Sequence, residues 1–220
     1  MSRRVAHKPE PAPDARRDLR LVRGEETHMR ILERAMDLAS TQGLEGLSLG
    51  HLATSLGVSK AGLFAHFGSK EALQLAIVEA ARGVYFSTII EPALKEPEGL
   101  PRLTRLCTAW LDYVDHDTFR GGCFFASASA EFDSRPGKIR DRIADTMREW
   151  LEFLESAVLD AIRLHHLEKD TDAKQLAFEL HALEMGGNWA RQLLLDKDAL
   201  KRARKALLHR LDAAAIHKKR

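Results

Sequence analysis

Few residues of this chain are of a type and spacing that suits covalent or metal chemistry. Cys107 and Cys123 could form a redox pair, but nothing near them in sequence marks a lowered thiol pKa, and two buried, inert thiols are expected. His165, His166 and His181 could ligate a metal. Adjacent histidines on one helix diverge by about 100°, however, and no further ligands accompany them, so neither metal nor cofactor is expected. A Ser/His/Asp triad could be drawn from many residues, yet no nucleophile elbow or strand supports one, and the chain is read as a non-enzyme. The stretch from Leu56 to Phe67 offers a different chemistry, noncovalent recognition. Leu63 and Phe67 are one helical turn apart and can pack inward, which turns Lys60, Ala61, Phe64 and Ala65 elsewhere. A short helix whose outer face is small or basic can enter a DNA major groove.

The elements that must position this helix are legible from their ends. Gly57 follows the apolar-spaced run Leu49, Leu52, Ala53, Leu56, and Ser59 stands where a second helix needs an oxygen to accept its orphan N–H groups. Thr27 is expected to cap a first helix that buries Ile31, Leu32, Ala35, Met36 and Ala39 and ends at Gly43. Ser48 caps a second helix, Leu49 to Leu56, and Ser59 the third. Ser69 caps a fourth, with Glu71 in its first turn and a stripe of Leu73, Ala76, Ile77, Ala80 and Val84.

Residues 27 to about 84 resemble the DNA-binding domain of the TetR (tetracycline repressor) family. The run Val58-Ser59-Lys60-Ala61-Gly62-Leu63-Phe64-Ala65-His66-Phe67-Gly68-Ser69-Lys70-Glu71-Ala72-Leu73 carries most of the resemblance. It implies an all-α homodimeric transcription regulator with a divergent ligand-binding domain behind the DNA reader, about nine helices in total. It also implies roles for single residues. Lys60 would reach base edges, where an ammonium suits guanine O6 and N7, and Ala61 would touch a thymine methyl. Phe64 stands where the family most often has a tyrosine, so only the apolar contact survives. His66 falls near phosphate, and Lys70 looks like the family's phosphate anchor. Ser48, Ser59, Gly62 and Ala65 complete the expected DNA-facing set. Packing roles for Phe64 and His66, and simple solvation of Lys60 and Lys70, remain open alternatives. Gly50, beside His51, replaces a basic or polar residue, and Gly62 a commoner threonine, so base reading is expected to be leaner than usual.

Composition fits this reading without proving it. The chain has 220 residues and a net charge of +2, which neither shows nor excludes nucleic acid as a partner. Residues 1–26 read as a flexible arm, and between Met1 and Arg23 the bases Arg3, Arg4, Lys8, Arg16, Arg17, Arg20 and Arg23 outweigh Glu10, Asp14 and Asp18 to give about +4. Such an arm supplies general attraction to phosphates or is a solvated tail. Arg3-Arg4 lacks the apolar segment a twin-arginine signal requires, and no run of about 18 apolar residues occurs, so no membrane span and a cytoplasmic location are expected.

The remainder reads as helical too. Pro92, Pro97 and Pro101 are expected to break the chain, after which Leu103, Leu106, Cys107, Trp110 and Val114 trace an amphipathic stripe. Gly121-Gly122 precedes a short apolar helix to Phe132. A long helix carries Ile139, Ile143, Met147, Trp150, Leu154, Ala157 and Ala161. Residues 121–137 resemble a segment found in a subset of the family whose ligands are mostly unassigned. From Ala173 to Leu195 two stripes run in parallel, Leu176, Leu180, Leu183, Gly187, Ala190, Leu194 and Phe178, Ala182, Met185, Trp189, Leu193. The second stripe needs another cover. Gly186-Gly187 suggests close helix approach. The expected dimer interface is therefore Phe178, Ala182, Met185, Gly186, Trp189, Leu207 and Leu211, as the resemblance also implies. A well-buried hairpin in a monomer is the alternative. An unidentified small-molecule effector, implied by the resemblance, would be walled by Trp110, Tyr113, Phe125, Trp150 and Phe178, with Phe132 and Phe153 as further candidates. The expected plan is an arm (1–26), a helix-turn-helix domain (27–73), an effector-binding and dimerisation domain (74–213) and a basic tail (214–220). The function so implied is a regulator, a repressor by expectation, released from a palindromic operator in double-stranded DNA by its effector. The alternatives are an architectural DNA-binding protein of the same fold without an effector, or an enzyme with an appended DNA reader.

Overall fold

Side-chain caps set the helix boundaries in the N-terminal part. The Ser48, Ser59 and Ser69 hydroxyl oxygens accept the backbone N–H of His51 at 3.4 Å, Gly62 at 2.9 Å and Ala72 at 3.0 Å, three orphan donors satisfied locally. The computed structural model describes residues 13–217, with side chains described from residue 24 onward. The first helix, α1, runs Pro13–Gln42, followed by α2 Leu49–Leu56, α3 Lys60–Phe67 and α4 Lys70–Tyr85. Gly57 links α2 to α3 with φ +68°, a left-handed conformation that glycine reaches without strain. Ile31, Ala35, Leu52, Leu63 and Leu73 belong to the apolar core that these four helices share.

The start of α1 corrects the sequence reading. No cap at Thr27 opens it. The helix begins at Pro13, a residue suited to a first turn because its missing N–H has no intrahelical partner there in any case. Residues 13–26 are thus helical rather than a loose arm, and Arg3, Arg4 and Lys8 lie outside the described residues, as does the end of the basic tail from residue 218.

Pro92 does not break the chain either. A π-helical turn, Phe86–Ile90, joins α4 to α5, Glu91–Leu94, in one rod. Proline removes a donor and crowds the carbonyl one turn back; here the wider turn just before it, closed by the Glu91 N–H on Phe86 O, accommodates the ring. The rod then ends, with Pro97 just beyond it. Lys70–Leu94 has the length and apolar content of a membrane span. Leu73, Ile77, Val78, Ala81, Tyr85 and Ile89 on it are nevertheless buried in the protein's own core.

Four long helices build the second layer: α6 Leu100–Asp115, α8 Lys138–Arg163, α9 Ala173–Leu194 and α10 Ala199–Ala214, with the short α7 Phe124–Phe132 between α6 and α8. Counting the α4–α5 rod as one, nine helical rods are present among the described residues, without a strand. The expected stripe of α6 is buried throughout, and Ile143, Trp150, Leu154, Ala157 and Ala161 of α8 are as well. Leu207 and Leu211 are buried beneath α9 and belong to the core of the subunit, so they do not form the exposed interface expected of them. The two glycines of α9 face different ways. A Cβ on Gly187 would come within 2.8 Å of the Ala203 Cβ, so the close approach there is to α10 of the same chain, whereas nothing lies within 4 Å of one on Gly186.

Candidate nucleic-acid interface and effector cleft

Residues on α3 divide as their spacing requires. Leu63 is buried and Phe67 half-buried, while Lys60, Ala61, Phe64, Ala65 and His66 are exposed. Phe64 is 48 % exposed, unusual for a large apolar ring. Val58, in the turn before α3, is exposed beside this row. Gly62 is half-buried next to the Ser59 cap. Capping occupies an acceptor lone pair of Ser48 and Ser59 and leaves each hydroxyl proton free to donate. The two exposed caps can therefore hold their helices and still donate to a phosphate.

One expected contact, Lys70, is partly engaged within the protein. Lys70 Nζ donates to the Glu45 carbonyl oxygen at 2.6 Å and lies 3.3 Å from its carboxylate. Gln74 Nε2 donates to the Glu45 carboxylate at 2.8 Å and to Leu44 O at 3.0 Å. These bonds, that of Gln74 foremost, hold the Glu45 carboxyl below its usual range despite burial. Near His66, the His28 ring of α1 stacks on Phe67 with centroids 4.7 Å apart. His28 ties the long first helix to the reader, and sequence reasoning misses it because stacking between separate helices leaves no periodic signal.

The head meets the bundle along α4, where Glu71 and Glu79 pair with Lys138 and Arg142 of α8, and at a second joint formed by α1, the turn before α7, and α9. Arg120 donates to both Asp37 carboxylate oxygens, at 2.8 and 2.5 Å, and Gly121 N–H donates to Ser40 Oγ at 3.2 Å. Glu131 of α7 accepts the N–H groups of Leu44 and Glu45 at 2.7 and 3.0 Å. On the far side of the joint, Cys123 N–H donates to Asn188 Oδ1 of α9 at 3.0 Å.

A cleft of about 280 Å³ opens in the bundle between α4 with its π turn and α8. Tyr85, Phe86, Ile90, Trp150 and Phe153 make its apolar wall, and Arg82 and Glu149 stand at its mouth, paired at 2.9 Å. Trp150 is the one residue of the expected effector set that lines it, joined by Phe153 of the further candidates. Trp110, Tyr113 and Phe125 are buried core rings: Tyr85 packs edge-on against Tyr113 and Phe125 at 5.8 and 5.7 Å. Phe178 is 62 % exposed on the outer face of α9, away from this cleft. Burial pushes the Cys107 thiol well up and that of Cys123 up to about 12, which makes both unreactive. His166 Nδ1 accepts the Leu100 N–H at 3.1 Å, a structural use at the start of α6.

The outer face of α9 and α10 carries Phe178, Trp189, Leu193, Leu194 and Leu208, all exposed. Beside them runs a shallow groove of small residues, among them Ala182, Gly186, Ala190 and Ala206.

Comparison with known proteins agrees with this geometry. No curated protein sequence matches. Among solved structures, a TetR transcriptional regulator from Chloroflexus aurantiacus J-10-FL superposes with a TM-score of 0.82 at 22 % identity, over 88 % of this chain and 98 % of that one. A TetR-family regulator from Cytophaga hutchinsonii gives 0.78 at 18 % identity over 89 % and 98 %. AibR, solved with isovaleryl coenzyme A and operator DNA, gives 0.66 at 21 % identity over 82 % and 95 %. The family models for bacterial regulatory proteins of the tetR family and for the tetracyclin repressor-like C-terminal domain match residues 31–77 and 99–207. With its capped reader helix, its head-to-bundle joint and both halves matched in order, the chain belongs to the TetR family of transcription regulators.

Proposed function

We propose that this chain acts in the cytoplasm as a homodimeric repressor that occupies a palindromic operator and leaves it when a small molecule enters the bundle. The observation that carries the reading is the outward row of α3: a cation, two methyl groups and an exposed ring on a short helix whose other face is locked into the head. Such a row fits base edges and thymine methyls in a major groove. The exposed faces of α9 and α10, large rings beside a groove of small residues, suit a second copy of the same surface. AibR, of the same fold, was solved with both an acyl-coenzyme A and operator DNA, which supports a ligand and DNA as joint partners here. Ligand control requires different affinity for the DNA-competent and incompetent states, and the joint from α1 through Gly121 to α9 is the route by which a change in the bundle reaches the head.

Selection of bound sequences from random double-stranded oligonucleotides, followed by footprinting, tests the reading. A protected site with two-fold symmetry, its half-sites about one helical turn or more apart, is expected. Failure to enrich any sequence, or protection of a single asymmetric site, would overturn it.

A further inference from the structure

The interior of the bundle holds polar atoms that no protein group answers. Glu184 lies on the inward face of α9 with none of its surface exposed, and neither carboxylate oxygen has a hydrogen-bond partner. The hydroxyl of Tyr85, on α4, is steadied by the Trp110 indole alone among the described residues. Buried side-chain polar atoms are nearly always hydrogen-bonded, and an unmatched carboxylate is the costliest exception. The candidate partner is His181, whose Nδ1 lies 3.5 Å from Glu184 Oε2. That nitrogen already faces the Trp150 indole N–H at 3.3 Å, so as an acceptor it has no proton to give.

The groups coupled to this carboxylate are Tyr85 of α4, Cys107 of α6, Cys123 ahead of α7 and His181 of its own helix. No lysine or arginine is among them. Burial pushes the Glu184 carboxyl up to about 7, against an opposing pull from His181.

Two of the surrounding residues, Tyr85 and Trp150, are also the inner wall of the cleft, their rings edge to face with centroids 5.3 Å apart. The π turn places Phe86 and Ile90 on the same wall, and such turns interrupt a helix where a site needs room. The apolar cleft is thus linked to the buried carboxylate by two of its own wall residues, Tyr85, which is coupled to Glu184, and Trp150, which donates to His181 one turn before it. Arg82 at the mouth is held by Glu149 and is not free to draw in an anion.

We propose that the cleft and the carboxylate behind it form an effector site for a small amphipathic amine, its apolar body between Phe86, Ile90 and Phe153 and its ammonium on Glu184 and the Tyr85 hydroxyl. The inference rests on the reading of the chain as a ligand-responsive regulator and names the chemical class of the ligand. An ammonium supplies both the missing charge and the missing donors. An alcohol supplies one donor and no charge, and a carboxylate adds repulsion. Entry displaces the Trp150 indole from His181, so tryptophan emission reports occupancy.

The test titrates the full chain with octylamine, octanol and octanoate, one tail with three head groups, following tryptophan emission and thermal shift. Octylamine is expected to bind at least about ten-fold more tightly than octanol and to release a proton near neutral pH, with octanoate weakest. Glu184→Gln is expected to lose that advantage while still binding octanol, which shows that the variant is folded. Equal binding of amine and octanoate, undiminished octylamine binding by Glu184→Gln, or no binding of any of the three overturns the proposal. Operator selection on the same preparation separates the two readings. A protein that enriches a two-fold site but ignores octylamine loses the amine site and keeps its place as a regulator. One that takes octylamine and enriches no DNA keeps the amine site and loses the regulatory reading.

Discussion

Lys60 and Lys70 carry the same charge in different settings, and that difference sorts their effects on DNA. Lys60 is exposed on the outward row of α3, where the proposed reading sets it at base edges. Lys70 is held against Glu45 and presents its remaining N–H in a fixed direction at the start of α4. Lys60→Ala is therefore expected to cost about 1–3 kcal/mol at the preferred site and to relax base preference at one position. Lys70→Ala is expected to weaken all sequences alike, lower the salt slope by about one, and reduce stability by about 1 kcal/mol as the Glu45 carbonyl loses its lysine donor, the carboxylate keeping Gln74. Binding isotherms on selected and random DNA at several salt concentrations distinguish the two. Glu184 makes a second residue-scale prediction. Its carboxyl holds its proton up to about 7 against an ordinary 4.5, so the fold binds that proton more tightly than the unfolded chain does. Its cost is absent below pH 4.5, grows through that interval and is complete above about 7. At about 1.4 kcal/mol per pH unit the full cost is about 3 kcal/mol. Urea unfolding should find Glu184→Gln more stable than the parent above about pH 8, by up to that amount, and equal to it at pH 4.5; a parallel pH profile for the two proteins would contradict this.

At the scale of elements, the joint at Gly121 and Gly122 leaves little room for change. A Cβ on Gly121 would overlap the Ser40 carbonyl oxygen at the end of α1, and one on Gly122 would lie 2.5 Å from the Asn188 Oδ1 of α9. Both neighbours are fixed, one by a helix and one by its bond to Cys123, so neither can yield cheaply. Gly121→Ala is expected to cost about 1–3 kcal/mol in chemical unfolding, as overpacking does, and to change operator affinity because α1 must shift; an unchanged midpoint and unchanged affinity would show the joint to be loose. Asn188 and Glu184 are one turn apart on α9, which places this joint next to the buried carboxylate. How much of this can be read from the sequence follows the range of the forces involved. The caps at Ser48, Ser59 and Ser69 and the division of α3 into inner and outer faces are local, set by a residue and its neighbours within a turn, and the sequence displays them. The true start of α1 is hidden because threonine is tolerated inside a helix as well as at its cap. The rod through Pro92 is hidden because a π turn has no sequence signature beyond the proline it serves. Glu184 sits in phase with the stripe Leu176, Leu180 and Gly187, an acid where an apolar residue belongs. Spacing alone does not say whether that position is buried with a partner or without one.

On the scale of the whole molecule, the question is what covers the outer face of α9 and α10. Trp189 is 56 % exposed and Leu207, on the neighbouring helix, is fully buried, though both fall on apolar stripes of the sequence. The difference separates folding from assembly. Leu207→Ala removes core volume and is expected to lower stability by about 2–5 kcal/mol. Trp189→Glu touches no core position, so its subunit is expected to fold with unchanged helix content and unfold at a similar denaturant concentration. A charge in the middle of a self-complementary surface appears twice in a two-fold pair, and desolvating two carboxylates there prevents closure. Light scattering should then find the mass of one chain where the parent shows twice that value. A single subunit holds only one half-site, and the effective concentration supplied by its twin is lost, so affinity for a two-fold operator is expected to fall by about 10²–10⁴-fold. Affinity for one isolated half-site should stay as it was, since α3 and its caps are untouched. A Trp189→Glu protein that still runs as a pair and protects both half-sites would place the interface on some other face and detach the spacing of the two reader helices from α9.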